Sequence, residues 1–180
     1  DHGKSYAAAY EREHAPGFRW LHESFGTNWR MLEMQAVIGR IQLKRMSEWT
    51  AVRTQNSLNI LTACRKYSAL RVPETPESIV HAHYKCYVYV DTNQLAEGWS
   101  RDRIVSEINT LGVPCYQGSC SEVYLEKAFD ATGWRPAERL PSAKELGDSS
   151  LMFLVHPTLT EAEIQQTCDA IDTVMEKACL

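Results

Sequence analysis

Gly26-Thr27-Asn28-Trp29-Arg30-Met31-Leu32-Glu33-Met34-Gln35-Ala36-Val37-Ile38-Gly39-Arg40-Ile41-Gln42-Leu43 is the stretch on which the reading of the fold turns. A short polar side chain at Thr27 or Asn28 is suited to cap a helix, because it accepts a hydrogen bond from an amide that otherwise has no partner. The helix that follows carries two apolar stripes. Met31, Met34, Ile38 and Ile41 fall at offsets of 0, 3, 7 and 10, and Leu32, Ala36, Gly39 and Leu43 at 0, 4, 7 and 11. Glu33, Arg40 and Lys44 leave only a narrow polar ridge. A helix apolar over most of its circumference has to be covered on more than one side, and the small Ala36 and Gly39 let another backbone come close. The helical pattern continues through Trp49, Val52, Leu58 and Leu61 to about Lys66.

Outward from this helix the pattern changes on both sides. Residues 1–25 lack clean periodicity and are broken by Pro16-Gly17, which reads as a loop-dominated connection. After the turn chemistry of Pro73 to Pro76, Tyr84, Cys86, Val88 and Val90 alternate with Lys85, Tyr87 and Tyr89, the period of a strand with two unlike faces. Ser100 is placed to cap a helix carrying Ile104, Val105, Ile108 and Leu111, which Gly112 ends. Val113 to Tyr116 is a short extended piece, and Ser119-x-x-Glu122 has the form of a capping box for a helix reaching Phe129. Residues 130–141 read as a loop. Leu151 to Val155 reads as a strand covered on both faces. Thr160-Glu161-Ala162-Glu163 is a second capping box, opening a helix with Ile164, Cys168, Ile171, Met175 and Ala178 on one face. The expected organisation is a tail at 1–25, a helical arm at 26–66 and a small α/β domain at 67–180. The arm's second stripe should meet further polypeptide or another subunit.

Composition narrows the function classes. At 180 residues and 44% hydrophobic, the chain is long enough for one core. Nineteen basic and 23 acidic residues, well mixed, give a net charge of -4 and no concentrated basic field, so nucleic acid is not an expected partner. The longest apolar run, Leu151 to Val155, falls far short of the roughly 20 residues a membrane-spanning helix needs. No signal peptide opens the chain, and the expected location is the cytoplasm. The six cysteines contain no Cys-x-x-Cys pair, and only Cys115 and Cys120 are close. They read as reduced, mostly structural thiols. No histidine, cysteine and carboxylate set has metal-ligand spacing.

Several segments together carry a family resemblance: the Gly26–Leu43 stretch, Asp1-His2-Gly3-Lys4, His81-Ala82-His83-Tyr84-Lys85, Leu140-Pro141-Ser142-Ala143-Lys144-Glu145-Leu146 and His156-Pro157-Thr158-Leu159-Thr160. The chain resembles the DegT/StrS family of sugar aminotransferases, which use pyridoxal phosphate. The resemblance implies the aspartate aminotransferase architecture, called fold type I, with this chain as its C-terminal small α/β domain preceded by a long helical arm. It also implies a homodimer with active sites at the subunit interface. In that family Asp-His-Gly-Lys lies a short way past the lysine that binds the cofactor as a Schiff base. These residues therefore resemble the second half of such an enzyme, with no catalytic lysine among them.

Carried over by position, the resemblance makes Asn28 the asparagine that reaches from one subunit to the cofactor phosphate bound in the other. An amide at a helix start suits an anion; without a ligand the same residue would be a plain N-cap. Arg30 offers a fork of donors for the carboxylate of the amino donor or a nucleotide phosphate, and an interface salt bridge is its structural alternative. Lys85 lies too far downstream to be the imine lysine and is read as a substrate contact. Tyr116, followed by Gln117-Gly118-Ser119-Cys120, falls in a segment that contacts the sugar or nucleotide. That segment departs from the family's commoner Tyr-x-Pro-x-His. Lys4 reads as a surface lysine, and the five tryptophans as packing residues. The implied function is transfer of an amino group, from an amino acid such as glutamate, to a keto nucleotide-sugar in amino sugar biosynthesis. Two alternatives stand beside it: a pyridoxal phosphate-dependent sugar dehydratase of the same family, and a non-catalytic α/β interaction module.

Overall fold

The computed structural model describes residues 3–13, 21, 23–27 and 29–180. The chain divides into two compact units, Asp1–Arg45 and Met46–Leu180. In the first, Ala7–Glu11 forms a single turn of π-helix. The Gly3 carbonyl accepts hydrogen bonds from the amides of Glu23 and Ser24, and Arg12 pairs with Glu23.

Helix α1 runs unbroken over Glu33–Cys64. It begins past Thr27 and Asn28, so the cap expected there is corrected. The Leu32 amide donates instead to Gln35 Oε1 at 3.0 Å, which satisfies one of the orphan amides from within the first turn. Glu33 adds a negative charge at the positive helix end. The apolar stripes are exposed in this chain: Met34 at 75%, Ile38 at 55%, Ile41 at 46% and Leu43 at 65%. Toward its C-terminus α1 changes character and buries Ile60, Leu61, Ala63 and Cys64.

The second unit continues with β1 (Leu70–Arg71), β2 (Cys86–Val90), α2 (Arg101–Thr110), β3 (Cys115–Tyr116), α3 (Pro141–Ser149), β4 (Ser150–Phe153) and α4 (Glu161–Ala178). The sheet has the order β1-β2-β4-β3, with every pair antiparallel. Cys86 pairs with Phe153, which pairs with Cys115; Tyr87 pairs with Met152, which pairs with Tyr116. Since side chains alternate across a pleated strand, these two rows lie on opposite faces. The first row is core, together with Val88, Leu151, Ile60, Ile104, Ile108, Ile171 and Met175. The second carries the tyrosines. All four residues of β4 are buried, as expected of a central strand.

Local signals account for two helices. Ser100 Oγ accepts from the Arg103 amide at the start of α2, and Gly112, with φ +79°, ends it in the left-handed conformation. At α4, Thr160 and Glu163 form the full reciprocal capping box, and Ile164, Cys168, Ile171, Met175 and Ala178 are all buried. Lys66 Nζ and Tyr67 Oη bond the Asp172 carboxylate at 2.6 and 2.9 Å, fixing the end of α1 to α4.

Elsewhere the expectations need correction. No helix forms from Ser119 to Phe129; Val123–Leu125 and Lys127–Phe129 are single 3-10 turns, and Glu122 makes no capping bond. Both members of the apparent capping box are taken by distant partners, described below. The two-residue β1 is too short to show alternation, and α3, which opens with Pro141 at its first turn, falls in sequence that carried no helical expectation. Trp99 packs on the core, whereas Trp29 and Trp134 are exposed at 84% and 78%. Cys64, Cys86, Cys115 and Cys168 are buried free thiols. Burial pushes Cys86 up to about 11 and Cys115 up to about 12, so they act as small hydrophobes rather than nucleophiles.

Candidate functional site

The tyrosine face of the sheet carries the clustered polar chemistry. Tyr87 sits mid-strand in β2, and the turn after β3 lies against its ring. Gly118 has φ +99°, and a Cβ added there would stand 2.6 Å from Tyr87 Cε1. Only glycine permits both the backbone conformation and the approach. The next residue exploits this closeness: the Ser119 amide donates to Tyr87 Oη at 3.2 Å, and Lys85 Nζ donates to Ser119 Oγ at 3.2 Å. Lys85 is half-buried, with its ammonium 5.9 Å from the centre of the Tyr84 ring.

The other side of the turn is tied to the sheet. Ser150 Oγ donates to the Gln117 carbonyl at 2.6 Å, and Gln117 Nε2 donates to Asp102 Oδ1 at 2.7 Å. Arg101 pairs with Asp102 and also donates to the carbonyls of Gly147 and Ser150. The Arg101 bond, followed by the Gln117 bond, holds the Asp102 carboxyl below its ordinary range.

Beyond the turn, the buried Glu122 is clamped by Arg139, whose Nε donates to Oε1 at 2.9 Å and whose Nη2 donates to Oε2. Tyr124 Oη donates to Glu122 Oε1 at 2.6 Å and accepts from the Leu140 amide at 2.9 Å. Arg139 first, then Tyr124, lowers the Glu122 carboxyl to about 2. Arg135 donates to the carbonyls of Tyr124, Leu125 and Glu126. The 117–140 excursion thus has its own ionic skeleton.

Of the four residues singled out by position, Asn28 lies outside the described residues. Arg30 is an exposed residue of the first unit. Lys85 and Tyr116 both belong to the second unit, where Tyr116 is 47% exposed. Tyr116 and Tyr87 flank Met152 across the sheet, and Tyr87 in turn shares Ser119 with Lys85. Sequence reasoning missed Tyr87, Gly118 and Ser119 as a unit. Their signal was a hydroxyl on the non-core face of an alternating strand, together with a Gly-Ser pair that the helical reading absorbed.

Pyridoxal phosphate needs an enclosed lysine as well as a phosphate cradle. None of the lysines at 4, 44, 66, 85, 127, 144 and 177 is buried. Lys66 is held protonated by its bond to Asp172. No lysine of the chain is enclosed, so the described residues do not by themselves fit the cofactor.

Comparison with known proteins was decisive for kinship. Residues 6–172 match the DegT/DnrJ/EryC1/StrS aminotransferase family. The chain belongs to that family. It is 66% identical to an aminotransferase from Psychrobacter cryohalolentis whose X-ray structure superposes with a TM-score of 0.83, covering 97% of this chain and 46% of that one. It is 27% identical over 168 residues to GDP-perosamine synthase of Caulobacter vibrioides, covering 89% of this chain and 42% of the relative. The structure of NtdA from Bacillus subtilis, with bound cofactor PMP, shares the fold at 19% identity and a TM-score of 0.72, covering 85% of this chain and 34% of that one. The chain spans 36–42% of the length of the curated relatives it matches. The fold type I aminotransferase architecture expected of this DegT-family chain is the one its structural neighbours share.

Proposed function

We propose that the polypeptide to which these residues belong is a pyridoxal phosphate-dependent transaminase, moving an amino group from an amino acid, glutamate, to a keto group on a nucleotide-linked sugar. The observation that carries this reading is the family match across residues 6–172. The relatives named for sugar products, GDP-perosamine synthase among them, support a nucleotide-sugar acceptor. Pyridoxal phosphate, when bound, would supply the amino-group carrier and the electron sink that the exchange needs.

In this reading the chain contributes binding groups. Asn28 bonds the cofactor phosphate of a partner subunit in a homodimer, in the cytoplasm. The Arg30 fork holds the donor carboxylate or a nucleotide phosphate. Lys85 and Tyr116 meet the substrate from the sheet, where Tyr87 and the Gly118-Ser119 turn set their positions. A guanidinium or ammonium placed this way orients the reacting carbonyl rather than reacting itself.

The test is an amino-transfer assay with glutamate on the protein extended upstream to include the family's cofactor lysine. Turnover of a keto nucleotide-sugar is expected there, and none from the 180-residue chain alone. In the extended protein, Asn28→Ala should weaken cofactor binding by about tenfold to a hundredfold, the cost of one charge-assisted hydrogen bond. Turnover by the isolated chain, or an extended protein without amino transfer, would overturn the proposal.

A further inference from the structure

Beside the tyrosine cluster, where β1 ends after two residues and leaves the start of β2 unpaired along that edge while its other edge pairs with β4, lies a cavity of about 210 Å³ between β2, residues 73–75 and α1. Its lining includes Ser57, Thr75, His81, His83, Lys85 and Tyr87. These groups present donors. Ser57 is 1% exposed, and its Oγ has no hydrogen-bond partner among nitrogen and oxygen atoms. The neighbouring Cys86 thiol is a weak partner at best. A buried hydroxyl left in this way costs free energy unless a ligand or water answers it.

The histidine pair is built rather than incidental. His83 has φ +45°, the left-handed region that non-glycine residues seldom occupy. Its amide donates to His81 Nδ1 at 2.9 Å, and the two rings stand 4.2 Å apart. With Nδ1 accepting, a neutral His81 carries its proton on Nε2, where it is a donor. Lys85 adds an ammonium that donates to a neutral hydroxyl, and among the described residues it forms no ion pair with a carboxylate. No carboxylate lines the cavity.

We propose that this cavity is an oxyanion subsite, in which Lys85, Ser57 and His81 hold a carboxylate or phosphate group. Whole-ligand pockets run to roughly 300–1,000 Å³; this one takes the charged end of a larger molecule. Lys85 supplies the charge, and the Ser57 hydroxyl, with only the Cys86 sulfur beside it, gains an oxygen acceptor. The strained His83 backbone positions the His81 ring, since the bond to Nδ1 fixes both its orientation and its tautomer. The assignment rests on the transaminase reading for the source of the anion, since Lys85 is a substrate contact there, and is tested by binding to the 180-residue chain.

The experiment is a titration of the isotopically labelled chain with inorganic phosphate and, separately, glutarate, followed by NMR at constant ionic strength. Saturable shifts confined to Ser57, His81, His83 and Lys85 are expected. Lys85→Met should weaken binding about tenfold, as befits a charge-assisted contact, Ser57→Ala about threefold, and Lys85→Arg should retain it. Saturation by phosphate alone assigns the group to a nucleotide phosphate; saturation by glutarate alone assigns it to an amino-acid carboxylate. Non-saturating shifts with both anions, or saturable binding indifferent to both Lys85→Met and Ser57→Ala, would overturn the subsite and leave the transaminase reading untouched.

Discussion

Glu122 is an acid whose charge is maintained by its neighbours, and the sign of its effect on stability follows. Its carboxyl is lowered from 4.5 to about 2, chiefly by Arg139. Its contribution is therefore complete above the ordinary carboxyl range and is lost as the pH falls through that range toward about 2. Urea unfolding of Glu122→Gln against the parent chain should show a deficit near neutral pH that shrinks steadily in acid. A deficit constant across that range would mean the clamp is not ionic. Gly118 is limiting in another way, because an added Cβ meets a ring in a left-handed backbone. Gly118→Ala should cost about 1–3 kcal/mol in chemical denaturation and release the Ser119 amide from Tyr87. A neutral effect would show that the turn is not held against the ring. Neither role was legible in the sequence. Arg139 stands 17 positions from Glu122, and Tyr87 lies 32 from Ser119. Nothing local marks such partners, and the local pattern Ser119-x-x-Glu122 pointed to a capping box instead.

At the scale of elements, what is local was readable and what is borrowed was not. The α4 helix is specified by its own residues: a reciprocal cap at Thr160 and Glu163 and one apolar face. Thr160→Ala should cost about 1 kcal/mol, the usual worth of an N-cap hydroxyl, measured as a lowered denaturation midpoint. The Lys85 side chain, by contrast, is fixed by a serine from another connection, and α3 begins at a proline that fits a helix's first turn as readily as a loop. Helix α1 combines both cases. Its helicity was plain from periodicity, but its start moved to Glu33 because Gln35 answers the Leu32 amide.

At the scale of the molecule, α1 leaves Met34, Val37, Ile38, Ile41 and Leu43 exposed. Contiguous apolar surface of this kind is expected to be covered by further polypeptide or by another subunit, and the second case is the one that self-association tests. The 180-residue chain should therefore self-associate in sedimentation velocity at tens of micromolar, on the order expected of a patch of several such side chains. The double variant Ile38→Asp/Leu43→Asp should sediment as a monomer. A monomeric parent chain would overturn the idea that this face is an interface. The pattern of apolar residues, caps and turns determined α1, α2, α4 and the two longest strands, because each is written in residues a few positions apart, while the family was legible only as a resemblance of separate segments. Only the tertiary structure decided which tyrosine meets which turn, that Glu122 belongs to Arg139, and that Ser57, His81 and Lys85 line one cavity. Those contacts depend on where a folded sheet and helix bring distant segments together, and no spacing along the chain encodes that distance.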